Sequence, residues 1–145
     1  MKAFKFRLQR VLELRESEVK TEEAALERLY AVRTRMEQER DALSAALARM
    51  SGAVRGEQFV QPSQLIALDR YKDHVKREMV TFASKLAAHE VEIEKQKARV
   101  VAARGRVKLM EKLRDKRHEE WEAESNRELE ELAADFSTAQ WLRSR

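Results

Sequence analysis

Residues 65–110 read LIALDRYKDHVKREMVTFASKLAAHEVEIEKQKARVVAARGRVKLM. Within this stretch two interleaved series of sites repeat every seven residues, and eleven of their fourteen members are apolar. The two series are Leu65, Lys72, Met79, Leu86, Ile93, Val100 and Val107, and Leu68, Val75, Phe82, His89, Gln96, Ala103 and Met110. This heptad pattern places one apolar stripe along a helix, and such a helix needs a partner to cover the stripe.

A second stripe of similar length precedes the first one. Ten of its fourteen heptad sites are apolar. They are Leu8, Arg15, Glu22, Leu29, Met36, Leu43 and Met50, with Leu12, Val19, Leu26, Arg33, Arg40, Leu47 and Val54. Between the stripes lie the helix breakers Gly52, Gly56 and Pro62. They predict a connector over about 51–63, with Pro62 in the first turn of the second helix.

Two apolar stripes of matching length predict that each helix covers the other. We expect an all-α protein, a long antiparallel two-helix coiled-coil hairpin in which the second helix projects beyond the first from about residue 112. The predicted boundaries within a single domain, 1–145, are about 4–54 for helix 1 and about 64–138 for helix 2. Folding back would bring Val54 near Leu65 and Leu8 near Met110, and the end of helix 2 is expected to fray.

Composition supports a helical protein without a thick core. Charged residues make up 39% of the chain, which has 3 glycines and 1 proline, so a β-rich fold is close to excluded. The absence of cysteine from the sequence excludes disulfides, thiol nucleophiles and cysteine-based zinc sites. No apolar run approaches the length of a membrane span, and the first residues lack the apolar core of a signal peptide, so a cytoplasmic protein is expected.

The sequence offers little that could perform a reaction. The three histidines are too far apart for a metal site: His74 and His118 are expected to be solvated, and His89 to form a polar layer in the seam. No glycine-rich phosphate loop or nucleophile motif is present. We therefore predict no catalytic, cofactor-binding or metal-binding residues and no enzymatic activity. Gly105 could mark a bend or a close helix contact.

Charge is unevenly distributed along the chain, although the net charge is only +4. In the predicted hairpin two basic clusters meet at the open end: Lys2, Lys5, Arg7, Arg10 and Arg15 with Arg104, Arg106, Lys108, Lys112, Arg114, Lys116 and Arg117. Ordinary surface charge would explain them, and so would a docking face for an acidic partner. Because aromatic interleaving and groove-reading motifs are missing, an acidic protein is favoured over nucleic acid.

Two motifs resemble those of the flagellar export protein FliJ family. Residues 4–15, FKFRLQRVLELR, resemble the family opening F-x-F-x-L-x-x-V/L-L-x-L/Y-R. Residues 111–121, EKLRDKRHEEW, resemble its basic block E-K-L-R-x-K-R-x-E-E-Y, with Trp121 in place of tyrosine. Residues 129–132, LEEL, depart from the L-D-E that FliJ proteins often carry near the C-terminus.

The resemblance implies a non-enzymatic stalk of the flagellar type III protein export apparatus, serving flagellum biogenesis, motility and chemotaxis. Implied partners are the hexameric export ATPase (FliI-like), the export gate protein (FlhA-like) and export chaperones, without nucleic acid, and membrane association would come only through partners. Matching motif positions assign ATPase docking to Phe4, Phe6, Arg7, Leu8, Arg10, Lys112, Arg114, Arg117 and Trp121. Gate contact is assigned to Tyr71, Phe82 and His89.

Two other readings share the helical hairpin. One is a generic coiled-coil scaffold or an injectisome-type stalk, which would serve a different apparatus. The other, an RNA-binding helical arm, ranks below it, because its phosphate contacts would be expected to come with a recognisable RNA-binding motif.

Overall fold

A computed structural model describes residues 3–144 as two long helices, α1 (Gln9–Gly56) and α2 (Pro62–Arg143), with no strand among these residues. Contacts between α1 and α2 confirm the predicted all-α antiparallel hairpin. The chain forms two compact units. We call Thr21–Val100 the hairpin unit, and Met1–Lys20 with Val101–Arg145 the terminal unit.

The core of the hairpin unit is the predicted apolar stripe of α2. Its buried side chains are Leu68, Val75, Ile93 and Val100, and Ile93 is completely inaccessible to solvent. The α1 heptad sites of this unit are half-buried, except Met50, which is exposed. Each helix can cover only one side of the other, so most side chains between the two helices remain partly exposed to solvent.

Polar contacts across the seam establish the antiparallel register of the hairpin unit. The buried Gln96 donates a hydrogen bond of 3.0 Å from Nε2 to the backbone carbonyl of Glu22 and also contacts the Glu22 carboxylate. His89 Nε2 lies 2.6 Å from the backbone carbonyl oxygen of Leu29. Moving back seven residues on α2, from Gln96 to His89, therefore means moving forward seven on α1. The predicted polar layer at His89 is confirmed.

The terminal unit has a smaller core. Leu12 and Ala103 are buried between α1 and α2, and Arg106 Nη1 lies 4.0 Å from a Glu18 carboxylate oxygen. Residues 126–144 are all exposed, yet α2 stays helical to Arg143. The expected fraying at the end of α2 is therefore not seen.

Each helix boundary differs from the predicted one, and α2 spans Pro62–Arg143 instead of about 64–138. First, α1 begins at Gln9 and not near residue 4, and residues 3–6 are not helical. Second, the connector is only 57–61, since Gly52 and Gly56 are accommodated within the last turns of α1. Pro62 opens α2 as predicted, and the Gln61 amide donates to the Gln64 side chain at 2.8 Å, which caps the helix. The single-domain organisation stays a prediction.

Replacing Gln96 with Glu should destabilise the hairpin unit at neutral pH. The Gln96→Glu carboxylate would face the Glu22 carboxylate at hydrogen-bond distance in a mostly dry site, at a cost of about 2 kcal/mol. Retaining a proton would relieve the repulsion, so the pKa of the pair would be raised in the folded state. The penalty should accordingly shrink as the pH falls through this raised pKa, and it should be smallest once the pH reaches the ordinary glutamate value of about 4.3.

Urea unfolding of the variant and the wild type at about pH 7 and about pH 4 measures this difference. Gln38→Glu, at an exposed position of α1, is the matched control and should change stability little at either pH. A pH-independent penalty for Gln96→Glu would contradict the proposed repulsion between carboxylates.

Replacing Gly105 with Ala should stabilise the protein. An added methyl group at Gly105 would meet no atom within 4 Å beyond the backbone of its own helix turn, so this glycine does not accommodate a close helix contact. Alanine has the higher helix propensity, and the gain should be roughly 0.5–1 kcal/mol, or a few degrees in Tm by thermal melting. A lower Tm for Gly105→Ala would indicate that some contact does require glycine here.

Candidate partner-docking site

An extended segment precedes α1 in the terminal unit. Phe4 and Phe6 are half-buried, whereas Lys5 and Arg7 are exposed. This alternation indicates an extended segment, in which successive side chains point to opposite sides. The Gln9 amide donates to the Phe6 carbonyl at 3.1 Å, so the chain turns into α1 directly after the segment. The segment thus presents aromatic rings on one side and cations on the other.

The aromatic side of this segment packs on α2. The Phe4 ring lies edge-on to the His118 ring, with 4.9 Å between centroids, and 6.0 Å from the Trp121 ring. His118 and Trp121 are themselves 5.7 Å apart. Three residues separate them on α2, which places both rings on the same face of the helix. The three rings form one cluster that holds the segment against the helix.

A groove of about 570 Å³ runs beside this cluster. Its lining combines apolar, basic and acidic side chains, and we call it the N-terminal groove. It is lined by Phe4, Lys5, Phe6, Arg7, Leu8, Leu113, Arg117, Glu120, Trp121 and Glu124. Arg117 pairs with Glu120 at 2.9 Å, so part of its positive charge is offset within the groove. The groove can accept an apolar group flanked by charges of either sign.

The structure brings together six of the nine residues assigned to ATPase docking. Those that line the N-terminal groove are Phe4, Phe6, Arg7, Leu8, Arg117 and Trp121. Arg10, Lys112 and Arg114 belong to the same unit but lie outside the groove lining. Arg114 contacts its neighbour Asp115 at 3.4 Å, and Arg10 and Lys112 are exposed.

Sequence reasoning overlooked several residues of the site. Leu113, Glu120 and Glu124 line the groove without having been assigned to it. His118, expected to be solvated, keeps 45% of its side chain accessible, but its ring also packs against Phe4 and its Nδ1 lies 3.6 Å from a Glu122 carboxylate oxygen. Its position three residues before Trp121 was the available signal, since that spacing places both rings on one helix face.

The residues assigned to gate contact lie in the hairpin unit. Phe82 and His89 occupy heptad sites that face α1, and His89 is engaged with the Leu29 carbonyl. Tyr71 is half-buried, with its ring 6.2 Å from that of His74, which is exposed.

Residues 3–144 show no metal site and no membrane-spanning stretch. Within that range no cluster of three or more histidine and acidic side chains could hold a metal ion. Neither helix, as far as it is described, has a stretch apolar and long enough to cross a bilayer. The N-terminal groove therefore remains the strongest candidate site in the part of the chain that is described.

Comparison with known proteins identifies the family. No curated protein and no solved structure shows a significant match to the chain. The family model described as Flagellar FliJ protein matches residues 4–145, which span both helices and every lining residue of the N-terminal groove. The match thus covers nearly the whole chain and agrees with the two-helix fold. The chain belongs to the FliJ family of flagellar export-associated proteins.

Proposed function

We propose that this protein is a non-enzymatic stalk of the flagellar type III export apparatus that docks on a hexameric export ATPase and links it to the export gate. Family membership supports the flagellar setting, and it favours this role over an injectisome stalk, a generic scaffold or an RNA-binding arm. In this proposal the protein works in the cytoplasm and reaches the membrane only through its partners. Export chaperones are proposed as further contacts.

The observation that carries ATPase docking is the N-terminal groove. Rings that pack on α2 fix the position of the N-terminal segment, so its exposed cations Lys5 and Arg7 project from a defined backbone. Arg10 adds an exposed cation in the first turn of α1. Cations held in place in this way suit an electronegative surface on a ring, because a preordered segment loses little conformational entropy on binding.

Reversing the charge at Arg7 and Arg10 together should weaken binding to the ATPase. Both side chains are exposed, so the change leaves the packing intact. Arg114 and Arg117 are less suitable for this test, because they also form ion pairs with acidic residues of this chain. We expect affinity for a purified FliI-like hexamer to fall by roughly tenfold or more, with a matching loss of stimulated ATP hydrolysis. Titration by interferometry and a phosphate-release assay measure the two effects.

The matched control reverses Arg49 and Arg55, two exposed arginines near the other end of α1. It carries the same charge change and should bind as the wild type does. Far-UV circular dichroism should show both variants fully helical. Equal affinity of the Arg7/Arg10 variant and the wild type would refute docking through the N-terminal segment.

Contact with the export gate is proposed for the part of the hairpin unit between Tyr71 and His89. The rings of Phe82 and His89 support the seam, so they would act by holding α2 in position. Tyr71 would make the direct contact. An aromatic ring with a polar hydroxyl is a frequent energetic centre of protein interfaces.

Replacing Tyr71 with Ala should lower affinity for a purified FlhA-like gate domain by roughly tenfold. The other tyrosine, Tyr30, is the matched control, since it too is half-buried and is covered by Arg33 at 5.1 Å. Isothermal titration of both variants decides the proposal. Identical affinities for Tyr71→Ala and Tyr30→Ala would exclude a specific gate contact at Tyr71.

A further inference from the structure

The face of α2 that carries the aromatic cluster continues beyond the N-terminal groove. Leu129 follows His118 by eleven residues, and Leu132 follows Trp121 by the same interval. Eleven residues are close to three turns of an α-helix, so each pair lies on the same side. Phe136, four residues after Leu132, extends this side by one more turn. We call Leu129, Leu132 and Phe136 the tail face.

The tail face is apolar and exposed, unlike the part of the same stripe that precedes it. Leu129 is 48%, Leu132 57% and Phe136 79% accessible to solvent. The preceding rings of His118 and Trp121 are half-buried, with Phe4 beside them. The stripe is thus covered by Phe4 at one end and exposed to solvent at the other. An exposed apolar surface of this kind often marks a site of protein interaction.

The charges beside the tail face restrict what can cover it. Residues 119–135 contain eight acidic side chains and one arginine, a net charge of −7. A tail of the same charge from a second copy, a nucleic acid or an anionic bilayer would be repelled. The complementary occupant is basic as well as apolar.

The chain's own N-terminal segment shows the kind of ligand that this helix face accepts. Phe4 and Phe6 are directed inward, while Lys5 and Arg7 stay exposed at the side of the groove. Acidic residues of α2, Glu120 and Glu124, line the same groove. An extended segment with alternating apolar and basic side chains therefore already covers the first part of the stripe.

We propose that the tail face binds an extended basic segment of a partner protein, in which aromatic or aliphatic side chains alternate with lysine or arginine. The apolar side chains would pack on Leu129, Leu132 and Phe136. The cations would pair with flanking acids such as Glu128 and Glu131. This surface consists of residues outside the N-terminal groove, so it adds a second docking site to the one proposed for the ATPase.

The probe for this surface is a labelled decapeptide of sequence AFKFRLQRVL, which copies residues 3–12. Fluorescence anisotropy should show that it binds the full chain more tightly at about 50 mM than at about 300 mM salt. The double variant Leu132→Gln/Phe136→Gln should lose roughly tenfold in affinity or more. Both side chains are exposed and the change adds no charge, so the fold should persist, as circular dichroism can show.

The matched control is Val80→Gln/Val101→Gln, which removes two equally exposed apolar side chains elsewhere on α2. It should bind the probe like the wild type. A second peptide, AFEFELQEVL, keeps the apolar pattern with reversed charge and should bind weakly or not at all.

Three results would overturn the proposal. The first is an unchanged affinity of the tail-face variant, which would place the probe elsewhere, including in the N-terminal groove. The second is a wild-type dimer in light scattering that the tail-face variant loses, since the occupant would then be a second copy of this chain. The third is weaker ATPase binding by the tail-face variant, because the tail face would then be part of the ATPase site. ATPase binding lost only in the Arg7/Arg10 variant leaves the two sites separate.

Discussion

The lateral contact between α1 and α2 in the hairpin unit is the constraint on which the fold depends. Neither helix has an apolar core of its own, because charged or polar side chains occupy most positions outside the stripe. In the hairpin unit the stripe is therefore the apolar surface that each helix removes from water by packing on the other. Gln96 and His89 set the orientation and register of the two helices, since their hydrogen bonds to α1 can form only when the helices run antiparallel in one register.

The hairpin was predictable because seven-residue periodicity can be recognised in each helix separately, without knowing which helix it packs on. The start of α1 was not. Phe4 and Val11 fit a heptad column, whereas Phe4 and Phe6 fit an extended segment, and local propensity does not separate these readings. The outcome depends on the cluster that Phe4 forms with His118 and Trp121, a contact between residues more than a hundred positions apart.

In the candidate site, too, some residues could be predicted from short motifs, whereas others are revealed only by the folded structure. The resemblance to the FliJ motifs supplied the N-terminal segment, Arg117 and Trp121, because a heptad repeat does not require these motifs. Leu113, Glu120 and Glu124 were missed because a single leucine or glutamate on a charged helix carries no signal of its own. Beyond residue 112 the apolar residues leave the heptad phase, and heptad counting alone does not reveal the eleven-residue spacing that keeps Leu129 and Leu132 in line with His118 and Trp121.

The contact between His89 and Leu29 involves a main-chain oxygen. A carbonyl oxygen can only accept, so His89 Nε2 must carry the proton, and the leucine side chain takes no part in the bond. Every amino acid at position 29 would offer the same oxygen. This hydrogen bond consequently requires a histidine at position 89 of α2, but at position 29 of α1 it requires only the backbone. A substitution at position 29 therefore needs no compensating substitution at position 89.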